Sequence, residues 1–152
     1  MVKILNPADF PDLIHDFISF KKQSASPPFF DLTVKKLRRV KTGGSLDFGG
    51  SEFAPGRLDT CLPVKQQPED AYGWWKLHEG YYLVEFNEHT TFGEHRICQV
   101  QAHPNLLLSG GSHPTLLVAT IDRDFLIPLW VPKFGLQLKQ NARISRMIIY
   151  EY

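Results

Sequence analysis

The sequence carries almost no excess charge of either sign. Seventeen Lys and Arg stand against 16 Asp and Glu, a formal net charge of +1. That excludes a chain-wide electrostatic footprint for nucleic acid, which needs a clear excess of cations. Cysteine is scarce: Cys61 and Cys98 stand alone, without CxxC or Cys/His ligand spacing. They read as two reduced thiols of a cytoplasmic protein, neither a disulfide framework nor a metal site. No apolar run approaches the ~20 residues of a transmembrane helix, so no membrane partner is expected. The opening stretch, MVKILNPADFPD, is interrupted by Pro7 and acidic residues and does not read as a signal peptide. Glycines cluster in Thr42–Phe53 without the spacing of a Walker loop or a dinucleotide fingerprint. There is no internal repeat.

What is present points to strands. The 152 residues fit one domain, and a hydrophobic fraction of 43% with 12% aromatics is enough for a core. Eleven prolines and eleven glycines fit many short strands joined by turns. Residues 1–28 read as an N-terminal helix and linker, and 29–152 as a β-barrel domain. The helix is expected over residues 6–22, where Phe10, Leu13, Ile14, Phe17 and Ile18 recur at helical spacing behind Asn6-Pro7. Phe29–Lys41 reads as an edge strand with a charged, solvated face. Ile97–Ala102 alternates as a half-buried strand should. Trp74-Trp75 and Tyr81–Phe86 read as an aromatic strand pair. Leu116–Ile121, Leu126–Val131 and Gly135–Tyr150 supply the remaining strands. The fold class is all-β, a barrel or sandwich with one N-terminal helix.

Asp122 is the strongest candidate for chemistry. It opens a polar tip, Asp122-Arg123-Asp124-Phe125, between two apolar strands that would hold its carboxylate in place. The plainer alternative is a turn Asp that caps its own backbone. Phe125 is either a platform for a sugar or a core residue. Arg143 and Arg146 are either phosphate ligands or solvent-facing charges. His103 and His113 flank a glycine turn, with Asn105 and Ser109 beside it.

The order of the pieces resembles the dUTPase and dCTP deaminase superfamily over residues 32–152. The matching pieces are Ser45-Leu46-Asp47 at a glycine-rich turn, Gly80–Glu88 as an aromatic strand with a closing acid, and Ile121-Asp122-Arg123-Asp124-Phe125 as the corner. Gly135–Leu138 followed by Arg143–Ile148 completes the set. The resemblance implies a distorted jelly roll assembled as a homotrimer, with deoxynucleotide sites between subunits. It implies that the corner acid, Asp122, contacts the sugar and activates water for attack on the α-phosphate. It also implies that Phe125 packs under the deoxyribose and that Mg²⁺ arrives on the triphosphate, with no metal ligand in the chain.

Departures from the family pattern are as specific as the matches. The family's Arg-Ser-Ser position falls on His103-Pro104-Asn105, and an alignment on Ser109-Gly110 puts Leu108 where the arginine belongs. The deaminase glutamate falls near Pro132, so deamination is not expected. The last glutamine is Arg146, and no glycine-rich arm follows Tyr150. Each lost charge-assisted hydrogen bond to a triphosphate removes about 1.5–3 kcal/mol. Three readings remain. One is a dUTPase-like pyrophosphatase with Asp122 catalytic and Phe125, His103, Asn105, Ser109, Arg143 and Arg146 binding the nucleotide. Another is a non-catalytic trimeric nucleotide-binding or scaffold protein of the same fold. The third, a nucleic-acid binder using Lys35, Lys36, Arg38, Arg39 and Lys41 with Trp74 and Trp75, has the least support from the sequence.

Overall fold

The structure is a computed structural model that describes residues 1–152. Twelve strands follow in chain order: β1 (Lys3–Leu5), β2 (Ile14–His15), β3 (Phe30–Thr42), β4 (Arg57–Cys61), β5 (Trp74–Leu77), β6 (Gly80–Phe86), β7 (His89–Thr90), β8 (Arg96–Ala102), β9 (Leu116–Val118), β10 (Ile127–Val131), β11 (Leu136–Lys139) and β12 (Arg143–Glu151). Two short α-helices, α1 (Phe20–Gln23) and α2 (Pro104–Leu108), interrupt them.

Eight strands form one sheet with the central order β10-β6-β3-β12-β8-β9, with β1 on β12 and β4 on β3. The sheet curls into a half-barrel. The small β11-β5 and β2-β7 ribbons complete the strand pairing. β9 and β10 sit at opposite ends of the central order, so the short crossing 119–126 joins the two ends of the sheet. Curling lets that crossing stay short and sets the position of Asp122.

Phe30, Leu32, Val34, Val84, Val100, Leu129 and Met147 are fully buried. Such side chains stabilise the fold by about 1.5–3 kcal/mol each. In β8 Cys98 and Val100 are buried while Gln99 and Gln101 are half-buried, the alternation expected of a strand with one face on the core. Phe30–Val34 is buried at every position, so this half of β3 is covered on both faces.

Four expectations are corrected. There is no helix over 6–22. Pro7–Asp9 and Pro11–Leu13 are separate 3₁₀ turns, Ile14–His15 is a strand, and only Phe20–Gln23 is α-helical. The cause is local: Pro11 drives Phe10 out of the helical region, to φ −135° and ψ 60°, and Asp16 adopts a left-handed φ of 62°. In this irregular segment Leu13 and Ile14 are buried and Phe10 packs against the core, while Phe17 and Ile18 are exposed. Its Gln23 is buried and donates to the Asp31 carbonyl. Nor is β3 an edge. It pairs with β12, β6 and β4 along its 13 residues, with a register shift within each of the three pairings. Its lysines and arginines cluster in the second half, where one face is solvated. The strand expected over Leu116–Ile121 ends at Val118, and β5 pairs with β11, not with β6. No helix is long and apolar enough to cross a membrane.

Candidate functional site

β3 places an acid inside the sheet. Asp31 lies directly opposite Arg146 of β12 and is 3% exposed. A carboxylate in that position must be paired. Arg146 donates from Nε to Asp31 Oδ1 at 3.0 Å, and its guanidinium lies 5.3 Å from the Phe29 ring centroid. Arg143 reaches Asp31 Oδ2 at 3.5 Å from a half-exposed position. Asp31 was not singled out from the sequence. Its signal is there, an acid in the middle of a run of buried strand residues, Phe30–Val34.

His103 closes this cluster from the other side. Its Nδ1 accepts the Asn105 N–H at 3.0 Å and caps α2. The proton of the neutral ring then sits on Nε2, 3.5 Å from Asp31 Oδ2 and 3.2 Å from Arg146. Burial holds its pKa below the ordinary histidine value; Arg146 and Arg143 push the same way and Asp31 opposes them. Protonating the ring would also cost α2 its cap. With His103 neutral, Asp31, Arg143 and Arg146 leave the cluster a net charge of +1.

Beyond α2, Gly110 takes a left-handed φ of 97° and ends the helix. Asn105, Ser109 and Arg143 line a hollow of about 210 Å³ together with Trp74, Gln137 and Lys139. Ser109 donates its hydroxyl to the Asn105 carbonyl, and Lys139 lies over the Trp74 ring at 5.7 Å. Five of the seven residues singled out from the sequence therefore meet around α2 and β12: His103, Asn105, Ser109, Arg143 and Arg146.

Asp122 and Phe125 stand elsewhere, on the 119–126 crossing. Ile121 anchors the corner: it is buried, its carbonyl accepts from Thr90 N and its N–H donates to Thr90 Oγ1. Asp122 is exposed, and its Oδ1 accepts the Asp124 N–H at 2.9 Å. That is the self-capping turn named above as the plainer alternative, and it uses one carboxylate oxygen. Oδ2 has no partner within the chain. Phe125 is half-buried and stacks on Phe86 with centroids 6.1 Å apart and planes at 19°. No hydrogen bond or ion pair within the chain joins this corner to the Asp31 cluster.

Other pieces of the sequence pattern serve the scaffold. Glu88 is fully buried and accepts from Thr33 N at 2.7 Å, from Gln23 Nε2 at 2.9 Å and from the Thr33 hydroxyl. Burial raises its pKa against those hydrogen bonds. It ties α1 to β3 and β6. Asp47 caps Gly50 and Glu52 within its own loop, and Leu46 beside it is 88% exposed. His113 bonds to Ser145 Oγ and the Pro114 carbonyl, a sheet contact whose burial lowers its pKa.

No protein-family model matches the chain. Its sequence is similar to three archaeal proteins, each named "Probable deoxyuridine 5′-triphosphate nucleotidohydrolase". The relative from Methanosarcina mazei is 26% identical over 146 residues, covering 92% of this chain and 79% of its own. Those from Methanosarcina acetivorans and Methanococcoides burtonii are also 26% identical with the same coverage. Among solved structures the fold is similar to 2′-deoxycytidine 5′-triphosphate deaminase from Agrobacterium tumefaciens, with a TM-score of 0.66 at 10% identity. That match covers 99% of this chain and 49% of the other, so this chain spans about half the length of the deaminase.

Proposed function

We infer that the chain belongs to the dUTPase and dCTP deaminase superfamily, and we propose that it is a dUTPase-like pyrophosphatase converting a deoxynucleoside triphosphate to its monophosphate and pyrophosphate. The observation that carries the reading is similarity to three proteins of that name over 92% of this chain, on a curled β-sheet whose fold matches the deaminase.

The chemistry assigned to the chain follows from its two groups of residues. Asp122, held by the Ile121–Thr90 anchor, positions and deprotonates the attacking water with its free Oδ2. That requires the water within hydrogen-bond reach and the α-phosphorus in line. The open face of Phe125, backed by Phe86, receives the deoxyribose. Arg143, the half-exposed member of the Asp31 cluster, attracts phosphate, with Asn105, Ser109 and Arg146 shaping the same surface and His103 holding α2 in place. Because the two groups do not meet in one copy, a second copy brings its corner to the cluster of the first. The assembly proposed is a homotrimer of such half-barrels. No three His, Cys, Asp or Glu side chains gather to cage a cation. This donor set fits a Mg²⁺ ion carried by the triphosphate oxygens, which withdraws charge from the phosphates.

Pure protein mixed with each dNTP and Mg²⁺ tests the reading through pyrophosphate release, and sedimentation velocity tests the assembly. Release with at least one dNTP by a trimer is expected. Tight binding of a dNTP with no release would leave the non-catalytic reading in its place.

A further inference from the structure

The 17:16 balance of charges hides a local imbalance at one mouth of the half-barrel. Three adjoining hollows of about 310, 300 and 210 Å³ open there, and Lys76 lines all three. Around them stand Arg39, Lys41, Lys65, Lys76 and Lys133, against a single lining carboxylate, Asp59. Strand register explains part of the concentration. Arg39 faces Tyr82 on β6 and Asp59 on β4, Lys41 lies at a register shift just beyond, and both line the hollow of about 310 Å³ with Trp75, Lys76 and Leu77 of β5. Arg38, one residue away, points to the opposite face.

These cations are free to take a ligand. Lys41 and Asp59 lie 3.6 Å apart with side chains 45% and 54% exposed, a pair that a phosphate can replace. Arg39 spends one N–H on the Glu79 carbonyl at 2.9 Å and rests 6.0 Å from the Tyr82 ring centroid, which fixes its guanidinium beside the hollow. The remaining walls mix polar residues (Thr60, Gln66, His78, Gln137) with apolar and aromatic ones: Leu62 and Phe134 are each 79% exposed and Trp74 is half-buried.

We propose that this trough binds single-stranded nucleic acid, with Arg39, Lys41, Lys65, Lys76 and Lys133 along the phosphodiester backbone and bases against Trp74 and Phe134. A row of separate cationic hollows suits a repeating anion better than one compact phosphate. Exposed aromatic and apolar walls suit bases better than acidic side chains, since every base offers a π-face. The trough is distinct from the Asp122 corner, and it shares Trp74 and Gln137 with the hollow that Asn105, Ser109 and Arg143 line.

The test is fluorescence anisotropy of a labelled oligo-dT of about 20 nucleotides, long enough for one site, with the full chain at several salt concentrations. Binding should weaken linearly in log–log form as salt rises. The Lys41→Glu/Lys76→Glu variant should bind about tenfold more weakly, with a salt slope shallower by about 1.4, the change expected for two lost single-strand phosphate contacts. Lys3→Glu/Lys21→Glu makes the same change in net charge on exposed residues away from the trough and should bind as wild type does. Asp122→Asn should also bind normally, which separates this site from nucleotide hydrolysis. Circular dichroism confirms that each variant is folded. No complex at low salt, equal loss in both double variants, or poly-glutamate competing as well as unlabelled oligo-dT at equal charge would overturn the proposal.

Discussion

Asp31 and Arg146 face each other across the β3–β12 ladder at 3.0 Å, and the carboxylate is nearly sealed from solvent. This pair fixes the position of the surface proposed to attract phosphate. Asp31 holds Arg146, touches Arg143 and lies 3.5 Å from His103 Nε2, so the basic residues of β12 and the start of α2 share one anchor.

Removing that anchor should be costly. Asp31→Ala leaves Arg146, whose side chain is 18% exposed, without its partner. Breaking a buried pair from one side typically costs about 3–5 kcal/mol. Urea denaturation should show a loss of that order. A loss under about 1 kcal/mol would mean that the cluster does not organise β3 and β12, since that is the scale of an exposed pair.

Glu88→Gln tests the second buried acid. The glutamine nearly matches the shape, yet its amide would meet donors at the position where Glu88 now accepts from Gln23 and Thr33. A buried donor without an acceptor costs about 1–3 kcal/mol, and thermal unfolding should report a loss in that range.

The pH dependence has a sign that can be worked out. His103 and His113 are both depressed, chiefly by burial. Unfolded, each takes up a proton near its ordinary pKa of about 6.5; folded, each does so only at lower pH. Their contribution is therefore fully present above the unfolded value and is lost as pH falls below it. Glu88 acts oppositely, because its folded pKa is raised: its contribution is present below the ordinary glutamate value and lost as pH rises through the folded one. His103→Gln/His113→Gln should flatten the fall in stability below pH ~6.5 expected of wild type. An unchanged slope would contradict the depressed histidines.

Phe125→Leu separates a core role from a sugar platform. Leucine keeps apolar volume but loses the stack on Phe86, about 0.5–1.5 kcal/mol. If the ring also receives the deoxyribose, KM for the preferred dNTP should rise beyond what the small stability change explains. A normal KM would leave Phe125 a core residue.

The strands were legible where one face is wet. Gln99 and Gln101 alternate with Cys98 and Val100, and Gln137 and Lys139 alternate with Leu136 and Leu138, so β8 and β11 could be read directly. The N-terminal segment misled because its apolar spacing is helical, while Pro7, Pro11 and the left-handed Asp16 break the backbone that spacing requires. α2 was missed because Leu106-Leu107-Leu108 is too short a run to show a helical period, and His103 marks its start only once it is seen to cap it. Asp31 escaped because a lone acid in a buried strand carries no periodic mark; its meaning comes from Arg146, 115 residues away. The Asp122 corner was legible as a turn that caps its own backbone, in which Oδ1 accepts the Asp124 N–H, while its place on a crossing between opposite ends of the sheet was not.

The most direct measurement is pyrophosphate release by wild type and by Asp122→Asn, with each dNTP and Mg²⁺. Asparagine can keep the turn bond to Asp124 while losing the base, so the variant should stay folded. The account predicts release by wild type and a fall of about 10²–10⁴-fold in the variant, the usual worth of a positioned general base. No release with any dNTP, or a variant as fast as wild type, would contradict it.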